Sequence, residues 1–417
     1  MTQYVVEVSF SAGERRKPSQ LSISFHNPDQ YMAALRTIIA QGRKRVGLLV
    51  GAGAPAGMAR DDGSRPLIPA VAGLTEIVLK AIDPVYKEQI AGLRADLAEH
   101  DIETFLSRIR SLSAVIGSTK VHGLDGAGYR VMAEAICVEI GRIVQVRLPA
   151  GPTAYSEIVS WITGAPRTNP VEIFTTNYDL LFEEALERAR APYFDGFAGS
   201  REAFFDPASV SSDQLSARWT RLWKIHGSLG WKANSQGEVI RTGQADATHL
   251  IFPEHMKYDQ TQKAPYAALL DRLRGFLAIE DTLLISIGFS YADAHISARI
   301  DEALAANPAA SVFAFQFQNL EKEARAVELA SRRSNFSVYA RDKAVISGVA
   351  AEWRAPGDLP TKDWGPIRNS YWSPAAEGGE FHFKLGAIED FARFFANSQT
   401  PQAFDPPTPP IAADAVA

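Results

Sequence analysis

Residues 45–57 read RVGLLVGAGAPAG and join a short, continuous apolar run to a glycine-rich turn. An apolar run of this length is typical of a parallel strand that is buried on both faces. Glycines directly after such a strand allow a sharp turn and let backbone N–H groups approach a phosphate. The stretch therefore predicts a buried strand and a candidate phosphate-binding turn. A tight turn without a ligand is the alternative, because the third glycine of the usual dinucleotide fingerprint is absent.

Strand and helix signals alternate on either side of this stretch. Asn27-Pro28-Asp29 supplies a helix N-cap ahead of an amphipathic segment that should end near Gly42. Further strands are predicted at 171–175, 222–225, 282–288 and 311–317, and helices at 178–190, 265–277, 295–306 and 320–332. This alternation predicts an α/β fold with a doubly wound, Rossmann-like parallel sheet.

Three segments depart from the alternating pattern. Residues 1–26 contain β-branched and aromatic runs that predict a β-hairpin-like extension ahead of a main domain at 27–395. A Leu/Ala-rich block at about 71–150 has helical periodicity and predicts a helical insertion in that domain. Residues 396–417 are proline-rich and aperiodic, which predicts a flexible tail.

Composition excludes several classes of protein. With 46% hydrophobic residues among 417, the chain can bury a large core. A net charge of -5 argues against a protein that binds nucleic acid through its overall charge, so nucleic acid contact is expected only through a partner.

The single cysteine, Cys137, excludes an intramolecular disulfide and a four-cysteine zinc site, and we expect no metal. No apolar run has the length of a membrane span or signal core, so we expect a cytoplasmic protein without membrane contact.

Polar and glycine residues follow four of the predicted strands. In chain order they are Gly51-Ala52-Gly53, Thr176-Asn177-Tyr178-Asp179, His226-Gly227 and Gly288-Phe289-Ser290. Because the carboxyl ends of parallel strands meet at one edge of a sheet, these four turns should line a single crevice. A histidine in such a crevice titrates near neutral pH and suits a general base.

Each turn also has a simpler structural explanation. Thr176, Asn177 or Asp179 could cap the helix that follows, and Asp293 could cap the helix after Ser290. A histidine at the end of a strand is more often structural than catalytic. These alternatives remain open for every one of the four turns.

Taken in this order, the four turns resemble those of the sirtuin family over roughly residues 45–320. The first resembles the family's Gly-Ala-Gly phosphate loop, the second its Gln-Asn-Ile-Asp segment, the third its catalytic His-Gly and the fourth its Gly-Thr-Ser nucleotide loop. The resemblance implies NAD as the substrate, with His226 as base and with Asn177 and Asp179 around the nicotinamide ribose and the attacking water. It also implies further NAD contacts from Gly51, Ala52, Gly53, Thr176, Gly288 and Ser290.

The departures from that family narrow the expected activity. The deacetylases of the family carry a four-cysteine zinc ribbon, which a chain with one cysteine cannot form. Their Pro-Asp-Phe-Arg segment is not matched by Ile68-Pro69-Ala70-Val71, and Pro55 replaces a usual serine. In these respects the chain resembles the zinc-free, sirtuin-like NAD hydrolases of bacterial anti-phage defence. Within that group it most resembles the subunit that pairs with a HerA-class hexameric ATPase.

This resemblance implies an NAD glycohydrolase that releases nicotinamide and ADP-ribose, and that works as a defence effector in a homo-oligomer with its ATPase partner. Two alternatives stay open. One is an NAD-dependent protein deacylase, which needs a second groove for an acyl-lysine. The other is a non-catalytic subunit that senses NAD or ADP-ribose.

Overall fold

The structure, a computed structural model, describes residues 25–97, 101–242, 264–361, 364–373 and 381–399. The described strands are β1 (Phe25–His26), β2 (Arg45–Val50), β3 (Glu172–Thr175), β4 (Tyr193–Phe194), β5 (Phe197–Ala198), β6 (Ala203–Phe205), β7 (Thr220–Lys224), β8 (Trp231–Ala233), β9 (Val239–Arg241), β10 (Thr282–Ile287), β11 (Ser311–Phe315), β12 (Phe336–Tyr339), β13 (Lys343–Ile346), β14 (Val349–Trp353), β15 (Trp372–Ser373) and β16 (His382–Phe383).

The described helices flank these strands. They are α1 (Pro28–Gln41), α2 (Gly53–Ala56), α3 (Val71–Asp96), α4 (Ile102–Val115), α5 (Gly126–Val144), α6 (Ala154–Thr163), α7 (Leu181–Arg188), α8 (Pro207–Ser211), α9 (Tyr266–Ala278), α10 (Ala294–Ala306), α11 (Ala324–Arg332), α12 (Trp364–Tyr371) and α13 (Ile388–Asn397), with a 3-10 turn at Leu320–Lys322. No helix in the described ranges is long and apolar enough to cross a bilayer.

A ten-stranded sheet forms the centre of the molecule. Its order is β1-β14-β13-β12-β11-β10-β2-β3-β7-β4, and it is parallel from β12 to β4. Strand β13 runs antiparallel to both of its neighbours, and β1 pairs in parallel with β14 at the edge. A small antiparallel sheet, β5-β6-β9-β8, and the β15-β16 pair lie apart from it.

Successive residues of the central strands pack on opposite faces of the large sheet. In β2, Leu48 and Val50 belong to one hydrophobic cluster and Leu49 to another, and the same division separates Leu283 from Leu284 in β10. Helices α1, α3–α7, α12 and α13 contribute to the first cluster, whereas α9–α11 contribute to the second. Both faces are therefore covered, and the prediction of a doubly wound α/β sheet is confirmed.

Local signals place several elements where the sequence predicts them. The Asn27 side chain accepts a hydrogen bond from the Asp29 N–H at 3.0 Å, and α1 ends at Gly42, which has a left-handed φ of 62°. Helices α3, α4 and α5 occupy the segment in which the periodicity predicts a helical insertion, and its status as an insertion stays a prediction. The predicted N-terminal hairpin lies outside the described residues except for Phe25–His26, and most of the predicted tail lies outside them as well.

A buried ion network joins the central strands at the amino-terminal edge of the sheet. Glu172 is fully buried and accepts hydrogen bonds from Arg272 Nε and Trp223 Nε1, both at 2.8 Å. Arg221 approaches the same carboxylate at 3.3 Å and reaches Asp213 at 3.0 Å. Since a buried carboxylate is stable only when it is paired, the charges of the two arginines compensate that of Glu172.

Candidate functional site

The four polar turns meet at one edge of the sheet because β10, β2, β3 and β7 are consecutive neighbours. Backbone hydrogen bonds continue from these strands into the turns. The Gly51 N–H donates to Ile287 O at 3.0 Å, and the Thr176 N–H donates to Val50 O at 3.2 Å. The Ile225 N–H, just before His226, donates to Thr175 O at 2.9 Å. The four turns therefore lie side by side at the carboxyl ends of the strands, and the crevice between them stays a prediction.

The turns after β2 and β10 touch through their backbones. The Gly53 N–H donates to Gly288 O at 2.9 Å, and a Cβ at Gly51 would lie 2.4 Å from that same oxygen. Gly288 itself has a φ of 65°, and a Cβ there would lie 2.3 Å from Ala54 N. Glycine is therefore required at these positions by the close approach of the two turns.

The contact between the turns after β2 and β10 occupies backbone N–H groups that could otherwise donate to a phosphate. The N–H groups of Gly51 and Gly53 donate to Ile287 O and Gly288 O, and the Ala54 N–H donates to Gly51 O. Ala52 is half-buried in the same turn, and Ser290 is exposed after β10. A phosphate role for this edge, which stays a prediction, depends on Ala52 and Ser290 more than on the glycine amides.

Asn177 links the turn after β3 to the turn after β2. Its Nδ2 donates to Gly51 O at 3.2 Å, and its own N–H donates to Thr175 Oγ1 at 3.1 Å. The N-cap residue of α7 is Leu180, which makes no side-chain capping bond. Asp179 Oδ1 accepts the Leu181 N–H at 3.1 Å, a local turn bond at the start of the helix. Neither Asn177 nor Asp179 is therefore the N-cap of α7. Thr176, which precedes Asn177 in the turn, is half-buried.

Asp179 lies in a buried, charged environment beneath the turn. Burial raises the pKa of its carboxyl group, and the charge of Lys224 opposes that rise. Lys224 Nζ donates to the main-chain oxygen of Asp179 and forms an ion pair with Glu183 at 3.2 Å. Asp179 thus has clear structural roles, and its predicted contact with a ribose is an additional one that stays a prediction.

His226 is held by a carboxylate from the fourth turn. Its Nε2 lies 2.9 Å from Asp293 Oδ2, while Asp293 Oδ1 accepts the Ile296 N–H at 2.9 Å as the N-cap of α10. Burial raises the pKa of Asp293, but the hydrogen bond and the charge of His226 outweigh burial and lower it overall. An ionised carboxylate only accepts, so the hydrogen of this contact belongs to Nε2, and Nδ1 is the ring nitrogen that does not face Asp293.

The helical insertion adds a residue that the sequence reasoning missed. Glu103, in the first turn of α4, is half-buried and interacts electrostatically with both His226 and Asp293. Burial raises the pKa of this carboxyl group, and the charge of His226 opposes the rise. An acidic residue in the first turn of a helix is common, so its sequence context, after the N-cap Asp101, carries no sign of this position.

The arrangement places two carboxyl groups, those of Asp293 and Glu103, near one buried histidine. Such a site can orient a nucleophile at His226 and stabilise positive charge on a bound molecule through Asp293. Across the described ranges, no cluster of three or more His, Cys, Asp or Glu residues is arranged to hold a metal ion.

Residues 171–337 match the family model described as a SIR2-like domain. The matched segment runs from just before β3 into β12 and contains Asn177, His226, Gly288 and Asp293. Among solved structures, the chain is similar to one described as "Structural Basis for the Mechanism and Regulation of Sir2 Enzymes", with 14% identity, a TM-score of 0.33, and coverage of 69% of this chain and 85% of that chain. No curated protein matches the chain. The matched segment is thus sirtuin-like, and the match implies an NAD-dependent activity in general.

We expect Gly288→Ala to destabilise the protein by about 2 kcal/mol or more, because the new methyl group must occupy a left-handed conformation against the Ala54 backbone. Gly275→Ala is the matched control. Gly275 lies inside α9 with no atom within 4 Å of an added Cβ, so this change should be neutral or stabilise by up to about 1 kcal/mol. Urea unfolding of both variants measures the difference, and equal stabilities would contradict the close contact of the two turns.

Proposed function

We propose that this chain hydrolyses NAD to nicotinamide and ADP-ribose. The observation that carries the proposal is the pairing of His226 with Asp293, in which Oδ2 lies 2.9 Å from Nε2, together with Glu103, which interacts electrostatically with both residues. These residues lie beside Asn177 at the carboxyl edge of the sheet. The SIR2-like match supports NAD as the molecule that binds there.

The cleavage of NAD develops positive charge, which suits a site that has carboxyl groups. The nicotinamide ring is cationic and leaves as a neutral molecule, so positive charge moves onto the ribose in an oxocarbenium-like transition state. Preorganised carboxylates near that ribose stabilise the developing charge without a metal. Asp293, whose pKa is lowered, supplies such charge, Glu103 adds a second carboxyl group that interacts with it, and the contact between the turns after β2 and β10 fixes the geometry.

The proposal gives each residue a separate task. His226 accepts a proton at Nδ1 while Asp293 fixes the ring, and Asn177 positions the attacking water from its anchored amide. Asp179 orients the ribose from the same turn. Ala52, Thr176 and Ser290, with Gly51, Gly53 and Gly288, form the edge along which the rest of the nucleotide lies.

His226→Ala and Asn177→Ala should each reduce nicotinamide release from NAD by about 100-fold or more, because each removes a positioned polar group from the transition state. His122→Ala is the control, since that histidine pairs with Asp96 on the helical insertion and should leave the rate unchanged. Release is followed by chromatography, with circular dichroism to confirm folding. A folded His226→Ala protein with wild-type turnover would refute the catalytic role.

The same assay separates hydrolysis from deacylation. A hydrolase releases nicotinamide without any acylated peptide and yields free ADP-ribose. A deacylase requires an acetyl-lysine peptide and transfers the acetyl group to the ribose product, whereas a sensing subunit binds NAD without turnover.

Glu103→Gln should lower kcat for NAD by about 10-fold, because it removes one negative charge that faces the developing cation while keeping nearly the same shape. Glu134→Gln is the matched control, since Glu134 is exposed on α5 of the same insertion. Steady-state kinetics should show the loss mainly in kcat. A rise in KM with kcat unchanged would instead assign Glu103 to substrate binding alone.

We further propose that the hydrolase is an anti-phage defence effector, and that it forms a homo-oligomer whose activity is gated by a HerA-class hexameric ATPase partner. An ungated hydrolase would deplete the NAD of its own cell, so its activity requires control. We expect light scattering to show assemblies larger than one 45.5 kDa chain, and the ATPase to change the rate of NAD consumption. A monodisperse monomer with full activity and no response to the ATPase would contradict this proposal.

A further inference from the structure

A cavity lies at the opposite edge of the sheet from the candidate site. It has a volume of about 550 Å³ and is formed by the segment between α6 and β3, the turn after α7 and the residues before β7. Val171 and Thr220, at the amino ends of β3 and β7, are part of its wall. The candidate site follows the carboxyl ends of the same strands, so roughly 10 Å or more of strand separates the two places.

The wall of this cavity is positively charged. Arg167, Arg190 and Arg218 line it, and the lining residues include neither aspartate nor glutamate. In the part of the chain that the structure describes, none of the three pairs with a carboxylate. This is a local excess of positive charge in a chain whose net charge is -5.

The guanidinium group of Arg167 is held in one position in the cavity wall. Its Nε donates to Ile162 O at 3.0 Å, its Nη2 donates to Trp161 O at 2.7 Å, and its guanidinium stacks on the Trp161 ring at 4.3 Å. Burial lowers the pKa of Arg167 to about 10, so the group remains charged at neutral pH. Two of its five N–H groups are used by carbonyls, which leaves donors for a ligand. A carbonyl partner orients the group without neutralising it.

Arg190 and Arg218 complete the wall from two other segments. Both side chains are exposed, and Arg190 follows α7 in a turn with a left-handed φ of 51°. Long, exposed arginines beside a fixed one can adjust to an anion that enters the cavity. Planar guanidinium groups match the paired oxygens of a phosphate, which makes arginine the usual residue for binding phosphate esters.

We propose that this cavity binds a small phosphate ester, of the size of a sugar phosphate or a mononucleotide, through Arg167, Arg190 and Arg218. Its volume falls within the range of ordinary ligand pockets, roughly 300 to 1,000 Å³. The site is separate from the crevice around His226, and it does not depend on NAD hydrolysis.

Isothermal titration calorimetry with ribose 5-phosphate, and with uncharged ribose as a comparison, tests the proposal. The wild-type protein should bind ribose 5-phosphate with a Kd of about 1 mM or tighter and should not bind ribose. The double variant Arg190→Glu, Arg218→Glu should weaken this binding by about 10-fold or more. Both residues are exposed, so the variant should keep the wild-type unfolding temperature.

The matched control is Arg274→Glu, Arg325→Glu, which makes the same change in net charge at exposed positions on α9 and α11. It should bind ribose 5-phosphate within about twofold of the wild type, since distant exposed charges are screened. Absence of binding to the wild-type protein would overturn the proposal, as would equal weakening in both double variants. A lower molecular mass of the Arg190→Glu, Arg218→Glu variant in light scattering would also overturn the proposal, because it would show that a second copy of the chain covers these arginines.

Discussion

The site depends on a backbone contact that leaves no room for a side chain. The turn after β2 donates from Gly53 to Gly288 O at 2.9 Å, and neither Gly51 nor Gly288 can carry a Cβ without displacing the other turn. Asn177 then anchors the next turn to Gly51 O. His226 is tied through Asp293 to the start of α10, which follows β10. One close approach thus sets the relative positions of the polar groups from four neighbouring strands.

Charge is divided between the two edges of the sheet. Asp293 pairs with His226 at the carboxyl edge, and Glu103 from α4 interacts electrostatically with both. Three arginines, none of which pairs with a carboxylate among the described residues, line the cavity near the amino ends of β3 and β7. The carboxyl groups favour a cationic nicotinamide ring beside His226, and the arginines favour a separate anionic ligand in the cavity at the other edge.

Sequence patterns predict the elements with strong local signals. The Asn27 cap, the glycine at position 42 and the continuous apolar run of β2 define their elements without help from the rest of the chain. The turns after four strands were also expected to share a crevice, because parallel strands place their carboxyl ends together. Strand ends differ from the predicted bounds by at most three residues.

Other features depend on partners that are distant in sequence. The sequence analysis does not predict strands β12 to β14. The signal for the hairpin of β13 and β14 is Ser347-Gly348 between two apolar runs, and both residues adopt the left-handed φ values of a tight turn. Glu103 and the three arginines of the cavity carry no local signal at all, because their surroundings arise only when the insertion and the loops pack against the sheet.

A crystal structure of the protein with ADP-ribose would test the central claim most directly. The account predicts that the nucleotide lies along Gly51–Gly53 and Gly288–Ser290, with its terminal ribose beside Asn177 and His226 and within reach of Glu103. ADP-ribose bound elsewhere, with the carboxyl edge of β2, β3, β7 and β10 left empty, would contradict it.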